Sequence, residues 1–112
     1  MSAPDLATLL RRAQEVQERM AALQRDLARR RVEGSAGAGM VRAVATGELR
    51  ILEIAIDPQL LASGDRGMLQ DLVAAAVNTA LGQAQRMVQE EMQRAAASMQ
   101  APVLPAQGDG TA

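Results

Sequence analysis

The chain contains no cysteine and no histidine among its 112 residues. The first absence excludes disulfides, thiolate metal ligands and thiol nucleophiles, and the second removes the commonest general base and the commonest metal ligand. Lysine and tyrosine are missing too, so aspartate and glutamate are the only side chains left for acid–base chemistry. The adjacent Glu90 and Glu91 point in different directions on a helix and do not form a catalytic pair. We therefore expect no enzyme activity, no catalytic residues, no metal and no cofactor.

Aromatic residues are absent as well, so no large ring anchors a core. A chain of this length is expected to form one domain and to bury only about 60–70% of its unfolded surface. The buried bulk must come from leucine, isoleucine, valine, methionine and alanine. Burial between subunits would supplement so small a core, and we therefore expect an obligate homodimer.

No apolar run approaches the roughly 18 residues that a membrane span needs. Residues 1–5 lack the basic and apolar regions of a signal peptide. Together with the absence of cysteine, this predicts a cytosolic protein with no membrane partner. The net charge of −1 gives no general support for nucleic-acid binding, although all twelve cations are arginines, which suit bidentate phosphate contacts.

Residues 5 to about 31 are predicted to form one long helix. Its apolar residues recur at alternating steps of three and four, which is a heptad pattern. We call this stripe the heptad seam; it comprises Leu6, Leu9, Ala13, Val16, Met20, Leu23 and Leu27. A helix of about 40 Å is too long for one small sheet to cover, so part of it should project or pair with another helix. The seam fits a coiled-coil interface and the buried face of an ordinary helix equally well.

Signals for strands and a second long helix follow. Residues 40–46 and 49–56 are predicted strands joined by a turn at 47–48, and Val32-Glu33 is the start of a short third strand. Leu52, Ile54 and Ile56 alternate onto one face of the second of these strands. Asp57-Pro58 predicts a single helical turn through residue 61, and Asp65 caps a helix from 66 to about 100. Residues 101–112, rich in proline and glycine, are expected to be a disordered tail.

Three glycines in residues 34–39 raise the question of phosphate binding. A P-loop needs lysine and then serine or threonine after its second glycine, but Met40 and Val41 stand there. The glycine order is also the reverse of a dinucleotide-binding fingerprint, and the segment is predicted to follow a helix. We therefore expect a connector between the first helix and the sheet, and no small-molecule ligand.

The arginines have two interpretations. They could contact phosphates along a duplex, or they could form a solvated face with ion pairs at the i,i+4 spacing of Glu15–Arg19, Asp26–Arg30 and Glu90–Arg94. Composition favours the solvated face. Arg11 and Arg12, with only Glu15 close by, are the best exceptions.

Four blocks of sequence, taken in order, resemble the YbaB/EbfC family of bacterial nucleoid-associated proteins. They are residues 13–20 (AQEVQERM), the pair 32–34 (VEG) and 36–41 (AGAGMV), residues 56–61 (IDPQLL) and residues 68–80 (MLQDLVAAAVNTA). The resemblance runs from about residue 9 to residue 99. It implies an α+β fold of a long helix, a three-stranded antiparallel sheet and a long helix, assembled as a tweezers-like homodimer.

The resemblance also implies a domain at 1–100 that binds double-stranded DNA in the cytoplasmic nucleoid. We expect this binding to use mainly the DNA backbone and to be able to alter the conformation of the DNA. Family members are associated with nucleoid organisation and the regulation of gene expression. The candidate DNA-binding residues are exposed cations on helices expected to project: Arg11, Arg12, Arg19, Arg86 and Arg94. The alternative function is a dimeric protein-interaction module that recruits a recombination or replication factor without strong DNA binding.

Overall fold

The structure, a computed structural model, describes residues 5–100. In chain order its elements are α1 (Leu6–Arg29), β1 (Arg31–Ala36), β2 (Val41–Thr46), β3 (Ile51–Ile56), α2 (Pro58–Ser63) and α3 (Arg66–Gln100). The strands form one antiparallel sheet in the order β1-β2-β3. This confirms the predicted α+β arrangement of a long helix, a three-stranded sheet and a second long helix. The tail predicted at 101–112 lies outside the described residues.

Both ends of α1 are fixed by short-range chemistry. The Asp5 carboxylate caps the first turn by accepting a hydrogen bond from the Thr8 N–H at 2.8 Å. Hydrogen bonding by the Thr8 side chain, and then by the Thr8 N–H, lowers the pKa of Asp5 below its ordinary value of 3.8. At the other end Arg30 adopts an extended conformation. The Gly47 N–H, in the turn between β2 and β3, donates to the Leu27 carbonyl at 3.1 Å. The last turn of α1 is therefore joined to the sheet by a backbone hydrogen bond.

The glycine-rich segment corrects the prediction made for it. Gly34 and the two residues after it belong to β1, and only residues 37–40 form the turn to β2. Gly37, Ala38 and Gly39 all have positive φ there, and the Met40 N–H donates to the Gly37 carbonyl at 3.1 Å. The segment is thus a strand and a hairpin turn of the sheet itself, and not a connector between the helix and the sheet.

The core lies between the sheet and α3. Val41, Ala43 and Ala45 of β2 are fully buried beneath the alanines at 76, 80 and 84 of α3. A Cβ added at Gly34 would overlap the backbone of Ala80, so the helix approaches β1 closely only because residue 34 has no side chain. Small residues on both elements therefore give a thin, tightly packed core.

Strand β3 is incompletely covered. Ile54 lies opposite Ala43, and Ile56 lies opposite Val41, so these two residues share one face of the sheet as predicted, and that face is the α3 side. The register shifts at Val44/Ala45, which leaves Leu52 without a partner on β2. Because α3 packs mainly over β1 and β2, Leu52 is 47% exposed and Ile54 is 42% exposed.

The molecule is elongated. Its radius of gyration is 21.8 Å and its longest extent is 76 Å, whereas a compact domain of 100 residues has a radius of gyration of about 13 Å. Helix α3 alone has 35 residues, or about 52 Å at 1.5 Å per residue. The long helices extend beyond the small sheet, which is the first of the two arrangements expected for α1.

Candidate nucleic-acid interface

The exposure of the heptad seam differs between the two ends of α1. Leu27 is 3% exposed, and Met20 and Leu23 are half-buried. Towards the N-terminus the seam loses its cover, and Leu6 is 70% exposed. Every residue from 6 to 19 except Thr8 is exposed, and we call this segment the free arm. The seam is therefore the buried face of an ordinary helix at one end of α1 and an uncovered stripe at the other.

Three of the five candidate cations lie on the free arm. Arg12 and Arg19 are seven residues apart, so they share one side of the helix at a separation of about 10 Å along its axis. Arg11 points away from the seam, about 100° from Arg12. The free arm carries these three arginines against two glutamates, a local net charge of +1 in a chain whose net charge is −1.

The other two candidates lie on α3, and both are exposed. The Arg86 guanidinium folds back along the helix, with Nη1 4.0 Å from the position that a Cβ on Gly82 would occupy. Arg94 instead pairs with the Glu91 carboxylate one turn earlier. Within residues 5–100, no carboxylate oxygen lies within 4.0 Å of a nitrogen of Arg11, Arg12, Arg19 or Arg86. Because the Glu91 carboxylate already neutralises part of the Arg94 charge, Arg94 should attract a phosphate least among the five candidates.

Glu91 also joins the two long helices. Its carboxylate lies 3.5 Å from Nη1 of Arg30, which is in turn 3.2 Å from the Asp26 carboxylate through Nε. Of the spacings proposed from sequence, Asp26–Arg30 forms, whereas Arg94 pairs with Glu91 and not with Glu90. The contact between Arg30 and Glu91 had no local signal in the sequence because the two residues are far apart along the chain.

Two cavities beside the turn between β2 and β3 contain no cation that could bind a phosphate. The largest described cavity, of about 410 Å³, is lined by Gly47, Leu49, Gln85, Val88 and Gln89, none of which is charged. An adjoining cavity of about 300 Å³ lies between α1 and α3 and includes Leu27 and Met92. The described part of the chain contains no cluster of three or more aspartate, glutamate, cysteine or histidine residues able to hold a metal ion. None of the five candidate arginines lines a described cavity, so any phosphate that they contact would lie on a helix surface.

Among the described residues, no helix has the length and apolar character required to cross a membrane.

Comparison with known proteins identifies the family. The model of the YbaB/EbfC DNA-binding family matches residues 1–99. A nucleoid-associated protein of Pelotomaculum thermopropionicum is 39% identical over 104 residues, covering 93% of this chain and 99% of that protein. A nucleoid-associated protein of Chlorobaculum tepidum is 41% identical over 99 residues, covering 88% and 87% of the two chains.

The fold has a solved counterpart. The crystal structure of an uncharacterized Helicobacter pylori protein matches with a TM-score of 0.61 at 21% identity, covering 87% of this chain and 98% of that one. At this identity the match shows a shared fold alone. Because the family model spans the two long helices and the sheet between them, this chain belongs to the YbaB/EbfC DNA-binding family.

Proposed function

We propose that this protein is a nucleoid-associated protein that binds double-stranded DNA through its phosphate backbone. Within this chain we assign the DNA contact to the free arm. The observation that carries it is the set of three exposed arginines on the free arm, none of which has a carboxylate partner within residues 5–100. An arginine that is already free of carboxylates is available to a phosphate without first breaking an ion pair.

The expected contribution of each candidate differs. Arg11, Arg12 and Arg19 supply most of the binding, Arg86 extends the contact onto α3, and Arg94 adds least because Glu91 neutralises part of its charge. Such contacts position a protein on DNA and carry no sequence information. Binding should therefore vary little with sequence, and the biological role is nucleoid organisation and regulation of gene expression, without enzymatic activity.

A homodimer completes the proposal, because it presents two free arms to one duplex. Four exposed apolar side chains support self-association: Leu52 and Ile54 on β3, Leu61 on α2 and Met68 at the start of α3. We call these residues the β3-side patch. An open strand edge with apolar neighbours is a surface that proteins usually cover. Ile54→Glu should lower the mass measured by light scattering to that of a monomer, whereas Ala55→Glu, on the opposite face of the same strand, should leave the dimer intact.

Charge reversal tests the DNA interface directly. The double variant Arg11→Glu, Arg12→Glu should weaken binding to duplexes of unrelated sequence by similar factors in a gel-shift titration. The matched control is Arg50→Glu, Arg66→Glu, which makes the same change in net charge at two exposed positions outside the free arm. Equal weakening by both variants would show that only net charge matters and would refute the assignment to the free arm.

Wild-type protein that fails to bind DNA at about 50 mM salt, where phosphate-driven association is strong, would refute the DNA-binding proposal itself. The alternative, a module that recruits a recombination or replication factor, draws support from the near-zero net charge. Its test is a pull-down after nuclease treatment, because a partner held by the protein alone remains bound when the DNA is destroyed.

A further inference from the structure

The tip of the free arm is apolar as well as cationic. Leu6, Leu9 and Leu10 are all exposed there, and Val16 continues the stripe. Phosphate contacts make no use of leucines, and an apolar stripe on a projecting helix is a surface that normally has a partner. We infer that the partner is a second copy of the same segment, so that two free arms pair in antiparallel orientation and join one molecule to the next.

The heptad positions are self-complementary in one antiparallel register, centred on Arg11. This register places Leu6 opposite Val16 of the second copy, and Leu9 opposite Ala13 of the second copy. The two-fold axis that relates the two copies repeats each of these contacts once, so four pairs of seam residues lie along the interface. All of the seam positions used are exposed in the described chain, and Leu10 flanks the centre next to its own counterpart. The pairing therefore covers the exposed part of the seam. The buried part, from Met20 to Leu27, stays packed within its own molecule.

The charges beside the seam favour the same register. Arg19 follows Arg12 by one heptad on the same side of α1, and Asp5, the N-cap residue, precedes Arg12 by one heptad. In this register Asp5 of each copy faces Arg19 of the other. Moving the register one heptad towards the sheet would set Arg12 against Arg19 and Asp5 against Asp26. A parallel pair would bring Leu10 against Asp5. Charge complementarity therefore favours this register, and the contact of Leu10 with its own counterpart favours the antiparallel orientation.

Arg12 faces its own counterpart at the centre of this contact. In the absence of DNA that pair is repulsive, but a phosphate lying between the two guanidinium groups would neutralise it. The paired segment is short, so its affinity is low. Pairing should therefore be most extensive where a duplex already holds neighbouring molecules side by side and raises their effective concentration. The association is nevertheless a property of the protein alone, and it stands even if the proposed DNA contacts are wrong.

The chain has no natural cysteine, so single cysteines report on the pairing. Two proteins of different tag length, one with Leu9→Cys and the other with Ala13→Cys, are mixed at high concentration under oxidising conditions, with and without DNA. The antiparallel register predicts a disulfide between the two different chains and none when either protein is alone. The control mixture is Leu9→Cys with Gln14→Cys, an exposed position on the face of the free arm that points away from the seam.

Cross-linking of Leu9→Cys to itself would indicate a parallel pair and overturn the inference. A yield from the Leu9–Ala13 mixture no higher than that of the control mixture, with and without DNA, would also overturn it. A second measurement uses Leu6→Gln, Leu9→Gln, which keeps good helix formers in α1. In sedimentation velocity this variant should lose the larger, concentration-dependent species while retaining the smallest wild-type species.

The matched control for sedimentation is Ala7→Gln, Ala22→Gln, on the exposed face of α1 opposite the seam. It should behave as the wild type. A concentration dependence identical in wild type, seam variant and control would refute the pairing. Loss of the smallest species as well, in the seam variant alone, would show that the seam forms the dimer itself and would overturn the assignment of this contact to higher assembly.

Discussion

Replacing Arg11 and Arg12 by glutamine should remove about two thirds of the salt dependence of DNA binding. Each phosphate neutralised by an arginine releases counterions, so the logarithm of the binding constant falls with the logarithm of the salt concentration at a slope of about −0.9 per contact. A dimer that engages only the three arginines of each free arm makes six contacts and has a slope of about −5. The double variant keeps only Arg19 in each protomer, which leaves two contacts and a slope of about −2.

The difference is large enough to measure. Between 50 and 200 mM salt the wild type should lose about a thousandfold in affinity, whereas the variant should lose only about tenfold. Fluorescence anisotropy with a labelled duplex, repeated at several salt concentrations, gives both slopes. Glutamine preserves helix propensity, so circular dichroism should show unchanged helicity, and the control Arg50→Gln, Arg66→Gln should keep the wild-type slope.

The measured slope also tests the contribution of α3. If Arg86 and Arg94 of both protomers bind phosphates as well, ten contacts give a slope of about −9, and Arg86→Gln alone should reduce its magnitude by about 2. An unchanged slope in the Arg11→Gln, Arg12→Gln variant would refute the reasoning, because it would mean that counterion release occurs elsewhere on the molecule.

The sequence alone predicted those features of the structure that depend on residues close together in the chain. Asp57 and Asp65 cap α2 and α3 as predicted, accepting hydrogen bonds from Gln59 at 2.8 Å and Met68 at 3.0 Å. Helix α2 continues through Ser63, beyond the predicted single turn, and ends at Gly64 in the left-handed conformation. Capping chemistry spans only three or four residues, so it can be recognised without knowledge of the rest of the fold.

The sequence predicted only the start of strand β1 and missed that the strand continues through Gly34. The packing that requires glycine at this position involves a residue far away in the chain. Glycine has low strand propensity, and the sequence offers no sign that the Ala80 backbone packs against residue 34. The exposure of β3 has a similar origin. Alternation identifies which face Leu52 and Ile54 occupy, but their cover depends on where α3 crosses the sheet. The seam shows the same limit, since periodicity identifies a stripe without showing how far it is buried.

Two further predictions concern stability. The pKa of Asp5 is lower in the folded protein than in the unfolded chain, where it is 3.8. The Asp5 cap therefore stabilises α1 fully at pH values above the unfolded pKa, and this stabilisation is lost as the pH falls below 3.8 through the folded pKa. Helicity measured at 222 nm should therefore decline there in the wild type more than in Asp5→Asn, whose cap does not titrate. Gly34→Ala should destabilise the fold by about 3 kcal/mol, because the new Cβ meets helix backbone that cannot rotate away. That cost corresponds to a fall of roughly 10–20 °C in thermal midpoint. Gly67→Ala is the control, since a Cβ there would meet only Asp65 Oδ1 at an ordinary 3.8 Å. Equal midpoints for the two variants would contradict the close packing of α3 on β1.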